Sequence, residues 1–74
     1  MKKYYTTAPT DYDYSYTKTE SVLGEYKGEQ IRVVTIPDEY ADYQLTRYSS
    51  GLYLATSDLD FVQYLIQSEA EKRT

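Results

Sequence analysis

A chain of 74 residues has room for one small domain, and with no cysteine nothing covalent reinforces its core. The absence of both cysteine and histidine excludes disulfides, thiolate or imidazole metal sites, thiol nucleophiles and His-based triads. Twelve acids against eight bases give a net charge of −4, which opposes binding to phosphate backbones, because neutralisation by Lys and Arg dominates that affinity.

The charge is unevenly spread: residues 1–19 carry +1 and residues 20–74 carry −5. The opening Met-Lys-Lys-Tyr-Tyr-Thr-Thr has charge with no apolar run behind it. A signal peptide is therefore not expected, no stretch approaches membrane-spanning length, and a cytoplasmic location without a membrane partner is the expectation. With no staple in so small a chain, self-association or docking on a partner is a source of added stability.

Between Met1 and Val22 the one aliphatic residue is Ala8, and Pro9 interrupts early. Such a segment buries little apolar surface except through its tyrosines, so residues 1–10 are expected to form a flexible tail and residues 11–74 a single α+β domain. Tyr12, Tyr14 and Tyr16 alternate with Asp11, Asp13 and Ser15, which is strand period and admits an extra strand over residues 12–17.

Residues 20–26 and 30–36 read as a hairpin. The second stretch is dominated by β-branched Ile31, Val33, Val34, Thr35 and Ile36, and Lys27-Gly28-Glu29 supplies a glycine for a turn. Pro37 ends the strand because it has no N–H for a ladder. Pro-Asp-Glu at 37–39 also suits a first helical turn, with Tyr40 and Tyr43 at i and i+3, so a helix over residues 38–48 competes with a strand. The alternation of Tyr43, Leu45 and Arg47 against Gln44, Thr46 and Tyr48, the turn cluster Ser49-Ser50-Gly51 and the renewed alternation through Leu52 and Leu54 favour strand–turn–strand. Ser57 then opens the clearest helix, with Asp60 three residues on as a variant capping box. Leu59, Phe61, Val62, Leu65 and Ile66 share one arc of that helix. The expected fold is α+β: a small antiparallel sheet of two hairpins, with scope for the extra N-terminal strand, packed on one C-terminal helix. A single helix covers one sheet face, so the other is expected to stay open and rich in tyrosine.

Eleven tyrosines, five of them in the first sixteen residues, are the outstanding composition feature. Tyrosine gives a large contact area with few rotatable bonds and a polar tip, and is favoured at interfaces; strands also use it for cross-strand packing. The primary expectation is a non-enzymatic protein-binding or self-associating module whose exposed sheet face presents Tyr26, Tyr43, Tyr48 and Tyr53, with Arg32 and Arg47 as hydrogen-bonding neighbours. Its partner is a protein, a second copy included. Direct nucleic-acid binding is not expected, since Arg32 and Arg47 alone make no basic groove. The alternative is an acidic inhibitor, of a kind a mobile element would encode, that mimics nucleic acid through Glu25, Glu29, Asp38, Glu39 and Asp42. Loss of function on tyrosine-to-alanine change marks the first; loss on charge reversal, with strong salt dependence, marks the second. The run Asp11-Tyr12-Asp13-Tyr14-Ser15-Tyr16 also has the look of an acidic tyrosine-modification segment, set against the plainer reading of an edge strand or solvated tail. Catalysis, cofactors and metals are not expected. The carboxylate pairs Asp58/Asp60 and Asp38/Glu39 sit where helix starts account for them, Asp58-Leu59-Asp60 lacks the further ligands of a calcium loop, and Gly24, Gly28 and Gly51 are too far apart to cradle a phosphate.

Overall fold

The β-branched run of residues 31–36 forms the strand on which the sheet is built. A computed structural model describes residues 1–72; residues 73 and 74, the end of the expected domain, lie outside the described residues. The elements run β1 (Lys2–Thr6), a 3-10 turn (Thr10–Tyr12), β2 (Lys18–Tyr26), β3 (Glu29–Ile36), α1 (Asp38–Ser50), β4 (Ala55–Thr56) and α2 (Leu59–Lys72). The four strands form one antiparallel sheet in the order β2-β3-β1-β4. The fold is thus α+β, with a four-stranded antiparallel sheet that includes the N-terminal strand, and a C-terminal helix.

The β2–β3 hairpin closes through a two-residue loop, Tyr26 pairing with Glu29. Both loop residues have positive φ, Lys27 at 53° and Gly28 at 81°, the backbone whose twist matches a right-handed hairpin. Glycine adopts it freely and lysine at some cost. Along β2 the register shifts twice, between Thr19 and Ser21 and between Val22 and Gly24. At Gly24 the helix α2 comes so close that an added Cβ would lie 2.8 Å from Ile66 Cδ1.

Strand alternation sends two sets of side chains to opposite faces. Tyr4 pairs with Val34 and Tyr5 with Val33. On one face Tyr4, Val34 and Ile36 pack with Ala41 and Tyr48 of α1. On the other Tyr5, Ile31 and Val33 pack with Val62 of α2, flanked by Leu23, Leu54 and Ile66. The sheet is therefore covered on both sides, and the open tyrosine-rich sheet face expected from the sequence does not exist.

Three local expectations are corrected. The flexible tail at residues 1–10 is instead β1, which lies between β3 and β4 with Tyr4, Tyr5 and Thr6 buried, so the domain begins at the N-terminal strand. Tyrosine supplied the apolar surface that aliphatic residues did not. Residues 12–17 are not a strand but the end of the 3-10 turn followed by a turn closed by Thr17 N donating to Tyr14 O at 2.9 Å. The second hairpin is replaced by α1 and the two-residue β4. Asp38 and Glu39 lie in the first turn of α1, and Ala41, Gln44, Leu45 and Tyr48 form the i, i+3, i+4, i+7 stripe that faces the sheet. At α2 the cap is Asp58 rather than Ser57: its Oδ1 accepts from Phe61 N at 3.1 Å. Val62 is buried and Leu65 and Ile66 half-buried as the periodicity implied, whereas Leu59 and Phe61 are exposed.

Candidate functional site

The stretch from Thr7 to Thr17 has almost no regular structure, and polar side chains from β3 and α1 hold it in place. Arg32 is central. Its Nε and Nη2 donate to Ala8 O at 3.0 and 2.7 Å, and its Nη1 donates to Thr19 Oγ1 at 2.8 Å. Nη1 and Nη2 also donate to the Asp13 carboxylate at 2.8 and 3.1 Å. All five guanidinium N–H groups are thereby engaged. Asp13 accepts a further bond from the Tyr48 hydroxyl at 2.6 Å. Burial pulls the Arg32 guanidinium down, but the bonds and charge of Asp13 outweigh it and hold it above its ordinary value. Burial, aided by donation to Asp13, pushes Tyr48 up to about 12.

One turn earlier on α1, buried Gln44 completes the clamp. Its Nε2 donates to Tyr12 O at 2.7 Å and its Oε1 accepts from the Tyr16 hydroxyl at 2.9 Å. Arg47 Nε donates to the same Tyr12 carbonyl at 3.1 Å. These bonds lay the loop along α1, so that Tyr14 and Tyr16 meet Tyr40 and Tyr43, which stand one helical turn apart.

The four rings make a continuous chain, in the order Tyr40, Tyr16, Tyr14, Tyr43. Tyr16 and Tyr40 stack with centroids 4.4 Å apart and planes 10° apart. Tyr14 lies 5.6 Å from Tyr16 and 5.8 Å from Tyr43, tilted in both cases, and its hydroxyl shares a 3.2 Å hydrogen bond with that of Tyr43. The Arg47 guanidinium carbon sits 4.6 Å from the Tyr14 centroid. Together the rings of Tyr14, Tyr16, Tyr40 and Tyr43 line a shallow recess of about 460 Å³. Three of them remain well exposed: Tyr43 at 58%, Tyr40 at 43% and Tyr14 at 37%. Burial and then the neighbouring tyrosines raise the Tyr16 hydroxyl above its ordinary value, and the hydrogen bond with Tyr14 raises that of Tyr43.

The six residues expected to form a binding face are dispersed. Tyr43 and Arg47 belong to the exposed cluster. Arg32 and Tyr48 are buried members of the clamp. Tyr53 is half-buried, edge-on to Tyr12 at 5.1 Å. Tyr26 packs on the opposite sheet face, with Lys27 Nζ 5.3 Å from its ring centroid. The cluster members that sequence reasoning left out are Tyr14, Tyr16 and Tyr40. The i, i+3 spacing of Tyr40 and Tyr43 would have pointed to Tyr40 had residues 38–50 been read as a helix, whereas Tyr14 and Tyr16 are brought in by tertiary bonds from Gln44 and Arg47.

The acidic residues do not form one row either. Glu25 and Glu29 lie at the hairpin end of the sheet, whereas Asp38, Glu39 and Asp42 follow the far end of β3, about 25 Å away at strand rise. Asp38 is 3.5 Å from the N-terminal ammonium. A second recess, of about 400 Å³, lies between residues 7–10 and the start of β3 with Arg32 in its wall, but Arg32 has no donor left for an anion. Among the described residues no group of three or more acids is placed to hold a metal ion, and no helix is long and apolar enough to cross a membrane. No protein-family model, no curated protein and no solved structure matches this chain.

Proposed function

We propose that this protein is a non-enzymatic protein-binding module that docks through the cluster of Tyr14, Tyr16, Tyr40 and Tyr43. One observation carries the reading: four aromatic rings line a single recess at the surface, and three of them, Tyr14, Tyr40 and Tyr43, are well exposed and belong to neither core. Rings already fixed by stacking and by the hydroxyl pair lose little freedom on binding, which is what makes tyrosine an effective anchor. The separation of the acids into two groups at opposite ends of β3 favours this reading over mimicry of a continuous phosphate backbone.

Paired capture tests it. Wild-type protein and the Tyr40→Ala/Tyr43→Ala variant are immobilised side by side and offered the same cell extract and purified second copy. The expected outcome is a bound protein, a second copy included, whose retention falls about tenfold or more with the variant. Equal retention by both overturns the reading. So does a loss seen only on charge reversal of Asp38, Glu39 and Asp42, which is the behaviour of an acidic mimic.

A further inference from the structure

The tyrosine recess differs from an ordinary apolar groove in what its walls and rim carry. Its walls are ring faces, which are electron-rich and attract a cation placed over them. The chain itself provides an instance: the Arg47 guanidinium lies over Tyr14, 4.6 Å from its centroid. The rim is acidic. The segments that build the recess, residues 10–17 and α1, contain Asp11, Asp13, Asp38, Glu39 and Asp42 against a single base, Arg47. Asp13 is matched by Arg32, and Arg47 is committed to the Tyr12 carbonyl and the Tyr14 ring. Exposed Glu39 and Asp42 directly precede Tyr40 and Tyr43, the two most exposed rings of the recess, in the chain, and Glu39 stands one helical turn before Tyr43 on α1. Two hydroxyls of the cluster are satisfied by each other and a third by Gln44, so the recess offers a visitor ring faces more than hydrogen-bonding groups.

We infer that the recess receives an arginine side chain from a basic segment of a partner protein, its guanidinium stacked on Tyr40 and Tyr43 and its charge met by Glu39 and Asp42. Arginine suits the site better than lysine because its planar, weakly hydrated head stacks on aromatic faces, as Arg47 does on the adjoining ring. The inference rests on the reading of this cluster as the docking surface and names the chemistry it recognises.

The test is a titration of the whole protein, its tyrosine rings carbon-13 labelled, with three blocked pentapeptides that place arginine, lysine or leucine between pairs of glycines. The arginine peptide is expected to shift the ring resonances of Tyr40 and Tyr43 with a Kd in the millimolar range, roughly what one cation–π contact and two nearby carboxylates supply. The leucine peptide should leave those resonances in place, and lysine should fall between. Tyr40→Leu/Tyr43→Leu, which keeps apolar bulk but removes the ring faces, should weaken arginine binding about tenfold, whereas Tyr40→Phe/Tyr43→Phe should hold it within about twofold. Glu39→Gln/Asp42→Asn should weaken it about two- to fivefold at low salt and less at high salt. A leucine peptide that binds as well as arginine, or rings that do not respond to arginine, overturns the inference. If paired capture still depends on Tyr40 and Tyr43 in that case, protein docking stands and only the arginine specificity falls; if it does not, both fall.

Discussion

Tyr48, Asp13 and Arg32 come from three separated stretches of the chain and depend on one another. The Tyr48 ring is fully buried, and its hydroxyl has the Asp13 carboxylate as a charged acceptor at 2.6 Å. Tyr48→Phe keeps the ring and removes that bond, and should cost about 1.5–3 kcal/mol, the range for a hydrogen bond to a charged group. The same residue gives stability a pH dependence. In the unfolded chain a tyrosine ionises near its ordinary value of about 10, while Tyr48 in the folded protein does so at about 12. Its contribution is therefore complete below pH 10 and is lost as pH rises from about 10 to about 12, on the order of 3 kcal/mol in all. Urea unfolding of wild type and Tyr48→Phe at a series of pH values checks both statements. The gap between the two proteins should narrow through that window, and a gap that stays constant would show that Tyr48 titrates normally.

Among the elements, α1 is the one whose identity the local pattern left open, and its end shows how closely the alternatives ran. Ser49-Ser50-Gly51 looks like a hairpin turn, but the glycine lies inside a helix terminus. Tyr53 N donates to Tyr48 O at 3.3 Å and Leu52 N to Ser49 O at 3.0 Å, the double bond pattern of a Schellman cap. The residue that takes the left-handed backbone in that cap is Leu52, with φ 63°, one position after the glycine, whose φ is −91°. A leucine there is strained, and its side chain is 95% exposed, so it gains nothing from burial. Leu52→Gly should stabilise the domain by about 0.5–1 kcal/mol, the relief of the left-handed strain less the greater freedom of glycine in the unfolded chain. A higher thermal midpoint for the variant checks it, and an unchanged or lower one would mean that Leu52 makes a contact that outweighs the strain. The hairpin of β2 and β3 and the helix α2 were legible in advance, because the β-branched run 31–36 and the stripe Val62, Leu65, Ile66 each speak for one period. Residues 38–50 were not, because Leu45 and Tyr48 fit a helical stripe while Tyr43, Leu45 and Arg47 fit an alternation.

For the whole molecule, the decisive feature is that the N-terminal strand occupies an inner place in the sheet. β1 carries β3 on one side and β4 on the other, and it contributes Tyr4 to one core and Tyr5 to the other. Deletion of residues 1–6 should therefore abolish cooperative unfolding and leave a collapsed or unfolded chain, where a loose tail would have been dispensable. Circular dichroism and amide exchange of the shortened protein decide between the two. The same arrangement explains the tyrosine usage. Tyr4, Tyr5 and Tyr48 fill the cores, Tyr12 and Tyr53 pair beside them, and Tyr14, Tyr16, Tyr40 and Tyr43 gather where the 7–17 stretch crosses α1, while Tyr26 and exposed Tyr64 lie elsewhere.

The amino-acid sequence by itself determined the α+β class, the β2–β3 hairpin, the C-terminal helix and the exclusion of thiol and imidazole chemistry. Each of these follows from interactions within a few residues or from composition alone. Tertiary structure decided the place of β1, the helical state of residues 38–50 and the membership of the tyrosine cluster. Which of two competing periods wins at α1 depends on what is available to cover Tyr4, Val34 and Ile36, a surface assembled from other parts of the chain. Whether a polar side chain is buried or free depends on partners as distant in the chain as Asp13 and Arg32, 19 positions apart, and Asp13 and Tyr48, 35 positions apart. Arg32 and Tyr48 were expected at a surface for that reason, and Tyr14, Tyr16 and Tyr40 became one site with Tyr43 only when Gln44 and Arg47 fixed the loop against the helix.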